Sequence, residues 1–264
     1  MTAYSVGVDW AAGKWLSISY SQTNEYSAAV YDDITELWKA VGSQASRVLI
    51  DIPIGLCNSF ESDDGCVEID GKLYRECDKI ARSLLGPRSA SVFDPPARSA
   101  AELAMTDVEH KEVSKENVAR TGKGVSVQAA NIANGIITVD TLLQETNATD
   151  RILESHPEVC FRAFAGEPLQ HYKKTAPGVL ERLSVLESVP EYEREDWRII
   201  AEALEGYDER IAVDDLLDAT VLALTAAAPS TELHTIPTSP PPDCTGIPMQ
   251  MVYRRKTPFS QSEA

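Results

Sequence analysis

The chain has 264 residues, 43% of them hydrophobic; that allows a sizeable core, and no run of about 18 apolar residues offers a membrane span. Its net charge is −17, from 41 acidic against 24 basic residues, a sign opposite to that of most nucleic-acid binders, which counts against a nuclease. It suits a protein kept hydrated in high salt, and the preference for Arg over Lys also fits a halophile; it equally suits a substrate that is small or is not a nucleic acid at all.

The N-terminus lacks a basic segment followed by an apolar run. It reads as a first strand and not as a signal peptide, so a cytoplasmic location is expected. Residues 4–9 form a short buried strand ending at Asp9, and residues 15–20 alternate as a half-buried strand does. Ala11-Ala-Gly-Lys14 suits the hairpin loop between them, and residues 26–31 supply a third strand. Asp33 caps a helix running to about Gly42, with Ile34, Leu37, Trp38 and Val41 at helical spacing. Residues 47–52 are a strong buried strand, stopped by Pro53.

From 54 to 150 the chain reads as mostly helical and irregular. Asp64-Gly65 and Asp70-Gly71 bracket a small hairpin, and helices are expected at 75–85, 100–119 and 126–146. A strand fits 151–155, and helices fit 176–187 and 193–206. The last helix runs from Asp215 to about Ala228, with Asp214 as its N-cap. From Pro229 onward seven prolines exclude a long helix, and 233–236 and 251–254 suit short edge strands. We read one domain over 1–230 with a helical insertion at about 54–150, and a Pro-rich extension, 231–264, packed on it. The five cysteines (Cys57, Cys66, Cys77, Cys160, Cys244) are odd in number and form no C-x-x-C pair. They read as free, mostly buried thiols, with neither a zinc site nor a disulfide framework.

The chemistry sits in carboxylates. Asp9 and Asp51 end two strands that, as parallel neighbours, present both side chains at one sheet edge, where open α/β sheets bind ligands. Asp215 and Asp218 lie three apart on the last helix, about 60° apart around its axis. Asp218 interrupts an apolar run, and a buried unpaired carboxylate is costly. Gathered at one point these acids repel unless a divalent cation joins them, and hard oxygen ligands suit Mg²⁺ or Mn²⁺. Two such ions about 4 Å apart are a known arrangement for phosphodiester cleavage. The bland alternatives are turn residues for Asp9 and Asp51 and first-turn helix acids for the other pair. Glu154 is a candidate further ligand, His156 a candidate general base or acid, and Glu158 has no assigned role.

A basic island runs from Lys72 to Arg98, six basic residues against three acidic. It is either an anion-binding surface or a helix laced with pairs such as Asp78–Arg82. Arg75, Arg82, Arg88, and Lys173 or Lys174 are candidate phosphate contacts. Gly122-Lys123-Gly124-Val-Ser126 resembles a phosphate-binding turn opening a helix, though it is not a Walker A sequence; the alternative is a Gly-rich loop with a Ser cap.

Taken together, Val6-Gly-Val-Asp9, Ile50-Asp-Ile-Pro-Ile-Gly-Leu56, Arg75-Glu-Cys-Asp78 with Ala81-Arg82, and Leu85-Gly-Pro-Arg88 resemble a known family. Ser91-Val-Phe93, Gly122-Lys-Gly-Val-Ser126 with Gln128, Glu154-Ser-His-Pro-Glu158 and Asp214-Asp-Leu-Leu-Asp-Ala219 continue the likeness. The family is domain-of-unknown-function family 429, often described as predicted RNase H-like nucleases. The resemblance implies an α/β fold of RNase H-like type, with three antiparallel strands then parallel ones, flanked by helices. The order of the acids is also similar to that of RuvC-type resolvases, and by that likeness Asp9, Asp51, Asp215 and Asp218 hold two Mg²⁺ or Mn²⁺ ions. Those enzymes usually carry Glu where this chain has Asp51. A metal-dependent nuclease acting on nucleic acid or a nucleotide is the expectation. The alternatives are a non-catalytic binding or regulatory module, and a phosphoryl-transfer enzyme of the actin-like ATPase or sugar-kinase type; the latter is disfavoured because no second Gly-rich phosphate loop follows a later strand.

Overall fold

The computed structural model describes residues 4–62, 65–207, 211–260 and 263. Asp64, expected in a turn, lies outside them. A five-stranded mixed sheet organises the molecule, in the order β3-β2-β1-β4-β7. Its strands are β1 (Tyr4–Ala11), β2 (Lys14–Ser21), β3 (Tyr26–Tyr31), β4 (Ala45–Ile50) and β7 (Ile152–Glu154). β1, β2 and β3 form an antiparallel meander, whereas β4 and β7 add in parallel, with Val8 beside Ile50 and Ile50 beside Glu154. Asp33 caps α1 (Ile34–Val41), accepting from the Thr35 N–H, and this helix is the crossover to β4.

Alternation divides the side chains between two helical layers. Val6, Val8, Val48, Ile50 and Ile152 pack on one face, together with α1 and with Ile136, Val139, Leu142 and Leu143 of α6 (Ala133–Thr146). Leu16, Ile18 and Leu49 face the other layer, formed by α2 (Glu76–Leu85), α7 (Pro157–Ala165) and α10 (Val213–Ala226). Asp9 shares the parity of Gly7, and Asp51 that of Leu49, so both acids face α10.

Gly7 is what seats that helix. A Cβ built on it would lie 2.1 Å from the Ala219 carbonyl oxygen and 2.2 Å from the Ala223 nitrogen. Only hydrogen at this position lets the α10 backbone rest on β1. We expect Gly7→Ala to lower unfolding stability by about 3 kcal/mol, because the obstruction is backbone and cannot rotate away. Denaturant melts check this; an unchanged midpoint would mean that the helix is not seated on the strand.

Several expected elements break or shift. The helix at 100–119 is two, α3 (Arg98–Ala104) and α4 (His110–Thr121); that at 126–146 is α5 (Val127–Asn131) and α6. α6 packs directly on the sheet, although it falls within the segment read as an insertion. α7 was not expected: Pro157 occupies its first turn, where the missing N–H costs nothing. α8 (Ala176–Leu186) and α9 (Arg194–Ala203) lie close to expectation. β5 (Val67–Ile69) and β6 (Lys72–Tyr74) form the small hairpin around Asp70-Gly71. β8 (Leu233–Ile236) and β9 (Met251–Arg254) have the expected spans, yet they pair with each other as a separate ribbon and are not edges of the main sheet. Met251, Val252 and Tyr253 of that ribbon are buried in the main core.

The cysteine expectation fails at one pair. Cys57 and Cys66 form a disulfide, Cys77 and Cys160 are buried free thiols, and Cys244 is exposed. Among the described residues no helix is long and apolar enough to cross a membrane.

Candidate metal centre

Asp9, Asp51 and Asp218 meet at the carboxyl ends of β1 and β4. Each offers a carboxylate oxygen, and these three oxygens lie within 4.8 Å of one another. The Asp51 N–H still bonds the Val8 carbonyl at 2.9 Å, which locks the two strand ends in register. Asp9 and Asp218 are buried and Asp51 is half-buried. Asp218 Oδ1 is buried with no hydrogen-bond partner, while Oδ2 accepts from Lys173 Nζ at 2.5 Å. Among the described residues no arginine touches the triad; the one cation on it is that lysine, which also lies 3.5 Å from Asp214.

Burial is the main reason the affinity of these acids for protons is raised. It raises Asp9 well above the usual carboxylate range, and the negative charges of Asp51, Asp218 and Asp215 raise it further. Asp51 is raised by burial, against the opposing pull of His156 and Lys173, and a hydrogen bond from Asp9 stabilises its charge. Burial pushes Asp218 up to about 7 even with Lys173 beside it. Burial alone would lower Lys173, but Asp218, Asp9 and Asp51 outweigh it and hold the ammonium charged. The native chain therefore keeps protons that the unfolded chain releases. The stability this contributes is fully present below the ordinary value of 3.8 and is lost as pH rises through about 7. A divalent ion bound by the three acids would remove that loss by replacing the protons. The melting temperature gained on adding Mg²⁺ should accordingly be larger near pH 8 than near pH 5. Thermal melts at both values test this, and an equal gain would place the ion elsewhere.

The acids open into a cleft of about 460 Å³ also lined by Trp10, Arg88, Gln128, His156, Tyr172 and Asp215. Asp215 does not join the triad. Its Oδ2 accepts from the Ala212 N–H at 3.1 Å, so it is the first-turn helix acid and is raised chiefly by burial. Asp214 is not the N-cap: it lies inside α10, buried, beside Lys173 and Lys174 at 3.5 and 3.7 Å.

Glu154 lines the same cleft, but its carboxylate is bound to Arg75 through two hydrogen bonds of 2.7 and 2.8 Å. Burial pushes it up to about 7 despite that arginine. Arg75 in turn spends all its N–H groups on Asp78, Glu154 and the carbonyls of Ile54 and Gly55, leaving none for a phosphate. Arg82 binds the Val92 carbonyl and Asp94, not Asp78, and does not line the cleft. Lys123 lies 3.5 Å from Asp94 and over the Tyr74 ring, also away from the cleft. Ser126 caps α5 through the Ala129 N–H at 3.0 Å, and that helix is five residues long, so the expected phosphate turn is a capped loop. Glu158 pairs with Arg182 in the interior. His156 meets the Ser91 carbonyl through Nε2 at 3.3 Å, and its Nδ1 is buried with no partner. Arg88 alone of the expected arginines lines the cleft without a carboxylate.

A mixed α/β sheet carrying a buried three-aspartate cluster at its parallel strand ends is the class of protein defined here. The family described as protein of unknown function (DUF429) matches residues 7–241, and the chain belongs to it. Comparison with curated proteins and with solved structures finds no match.

Proposed function

We propose that the protein is a metal-dependent nuclease of RNase H-like fold that hydrolyses phosphodiester bonds with Mg²⁺ or Mn²⁺ held by Asp9, Asp51 and Asp218. The observation carrying this reading is the convergence of three acids from β1, β4 and α10, two of them buried, with oxygens within 4.8 Å of one another. The donor set fits a hard divalent ion: all ligands are carboxylate oxygens, and Asp218 Oδ1 has no other partner. The sheet order and the succession of acids along the chain support the RNase H-like assignment. When bound, the ion supplies Lewis acidity and a polarised water.

The remaining steps belong to the chain's own residues. Asp9, Asp51 and Asp218 fix the position of the ligand oxygens, with Gly7 setting the depth of α10. His156 lines the cleft and its buried Nδ1 has no hydrogen-bond partner, which makes it the residue to hold the proton that the leaving oxygen requires. A two-ion arrangement needs a further acid. Asp215, which also lines the cleft, provides one if Ala212 releases it and Lys173 withdraws from α10.

Lys173 also favours a second reading. Its ammonium already neutralises Asp218, as it would in a nucleotide-binding or regulatory module without turnover. Calorimetric titration with Mg²⁺ or Mn²⁺, followed by cleavage assays on single-stranded, duplex and dinucleotide phosphodiesters, separates the two. Millimolar divalent ions without heat or protection would leave the module reading ahead.

A further inference from the structure

The basic island between Lys72 and Arg98 is largely consumed by the protein itself. Arg75 serves Asp78 and Glu154, Arg82 serves Asp94, Arg98 serves Asp140 and Asp243, and Lys79 sits over Tyr74. Arg88 is left over. Its Nε is buried with no hydrogen-bond partner, and no carboxylate pairs with it among the described residues, in a chain with 41 acids for 24 bases. Its guanidinium lies 5.3 Å from the centre of the Tyr172 ring, itself 53% exposed. Of the three Arg and Lys side chains that line the cleft among the described residues, Arg75 and Lys173 are held by acids and Arg88 is not. His156, in the same cleft, adds a second buried nitrogen without a partner.

An unpaired guanidinium in an acidic protein calls for an anion from outside. We propose that Arg88, His156 and Tyr172 form a subsite that takes the phosphate and base of a nucleotide, so that the substrate is a nucleotide-sized phosphodiester and not a duplex. This rests on the metal reading above for the reaction, though not for the binding. Arg88 meets a phosphate oxygen with its free N–H groups, and Tyr172 offers ring surface on which a base stacks. A cleft of about 460 Å³ matches a small ligand. A duplex would instead need many cations over an extended surface, whereas the chain carries −17 and offers this cleft a single uncommitted arginine.

The test is calorimetry on the full chain, first with Ca²⁺, then with AMP, a dinucleotide, inorganic phosphate and a short duplex. AMP and the dinucleotide should bind at least about tenfold more tightly than the duplex at physiological salt. Arg88→Gln should weaken AMP and phosphate about ten- to a hundredfold while leaving Ca²⁺ affinity unchanged and the melting temperature nearly so, since that side chain makes no ion pair among the described residues and only stacks on an exposed ring. Tyr172→Ala should weaken AMP about tenfold and phosphate hardly at all. A duplex binding as well as the dinucleotide, or Arg88→Gln without effect on AMP, overturns the proposal. Ca²⁺ binding without nucleotide binding sinks the subsite alone, and nucleotide binding without Ca²⁺ sinks the metal centre alone.

Discussion

Asp9→Asn should cut divalent-ion affinity by more than about a hundredfold, beyond the ten- to hundredfold cost of losing a partner that only touches a metal ligand. Asn is nearly isosteric and removes one hard anionic oxygen from a set of three. Metal-dependent cleavage should vanish with it. Stability should move the other way. In the ion-free chain Asp9 holds its proton far above the ordinary range, because burial and its acidic neighbours penalise the charge. Asn never ionises and still presents a donor to Asp51. The metal-free variant near pH 8 should therefore melt at or above the wild-type temperature while failing to gain from Mg²⁺. A variant that melts lower and binds metal normally would make Asp9 an ordinary structural aspartate.

Arg75→Met should destabilise the fold by about 3–5 kcal/mol, the usual cost of stripping one partner from a buried ion network. Arg75 is 1% exposed and Asp78 fully buried, so neither Asp78 nor Glu154 regains water when the guanidinium leaves. Glu154 Oε2 also accepts from the Ile54 N–H at 2.6 Å. Arg75 itself holds the carbonyls of Ile54 and Gly55, both at 3.1 Å. The network thus pins the segment directly after Asp51, and losing it should weaken metal binding as well as folding. A companion variant in which Asp78 and Glu154 are also made apolar should recover much of the stability, because no orphaned charge remains. Chemical denaturation of both variants decides it; equal losses would show that packing, not charge, is what Arg75 supplies.

How far the sequence carried the site depends on the range of each interaction. Asp9 and Asp51 were legible because strand ends and a crossover helix dictate where their side chains meet. Asp218 was legible because an acid amid Leu216, Leu217 and Ala219 demands a partner. Asp215 shares a face with it but sits in the first turn, where the backbone N–H of Ala212 claims it. That local competition is invisible to a helical wheel. Arg75 and Glu154 are 79 residues apart, and nothing in either neighbourhood announces the other. Lys173 comes from the loop before α8, so its seat on Asp218 follows from packing alone. Gly7 appeared as one letter of a motif, and its purpose emerged only with the α10 backbone against it. The Cys57–Cys66 bridge was hidden by an odd cysteine count that did not say which thiol is left out.

Crystals soaked in Mn²⁺ and measured for anomalous scattering test the central claim most directly. The account predicts at least one ion coordinated by oxygens of Asp9, Asp51 and Asp218, with Asp218 Oδ1 or Oδ2 turned to it and Lys173 displaced or sharing that carboxylate. Millimolar Mn²⁺ that leaves the three aspartates bare, with Lys173 still seated on Asp218, would contradict it.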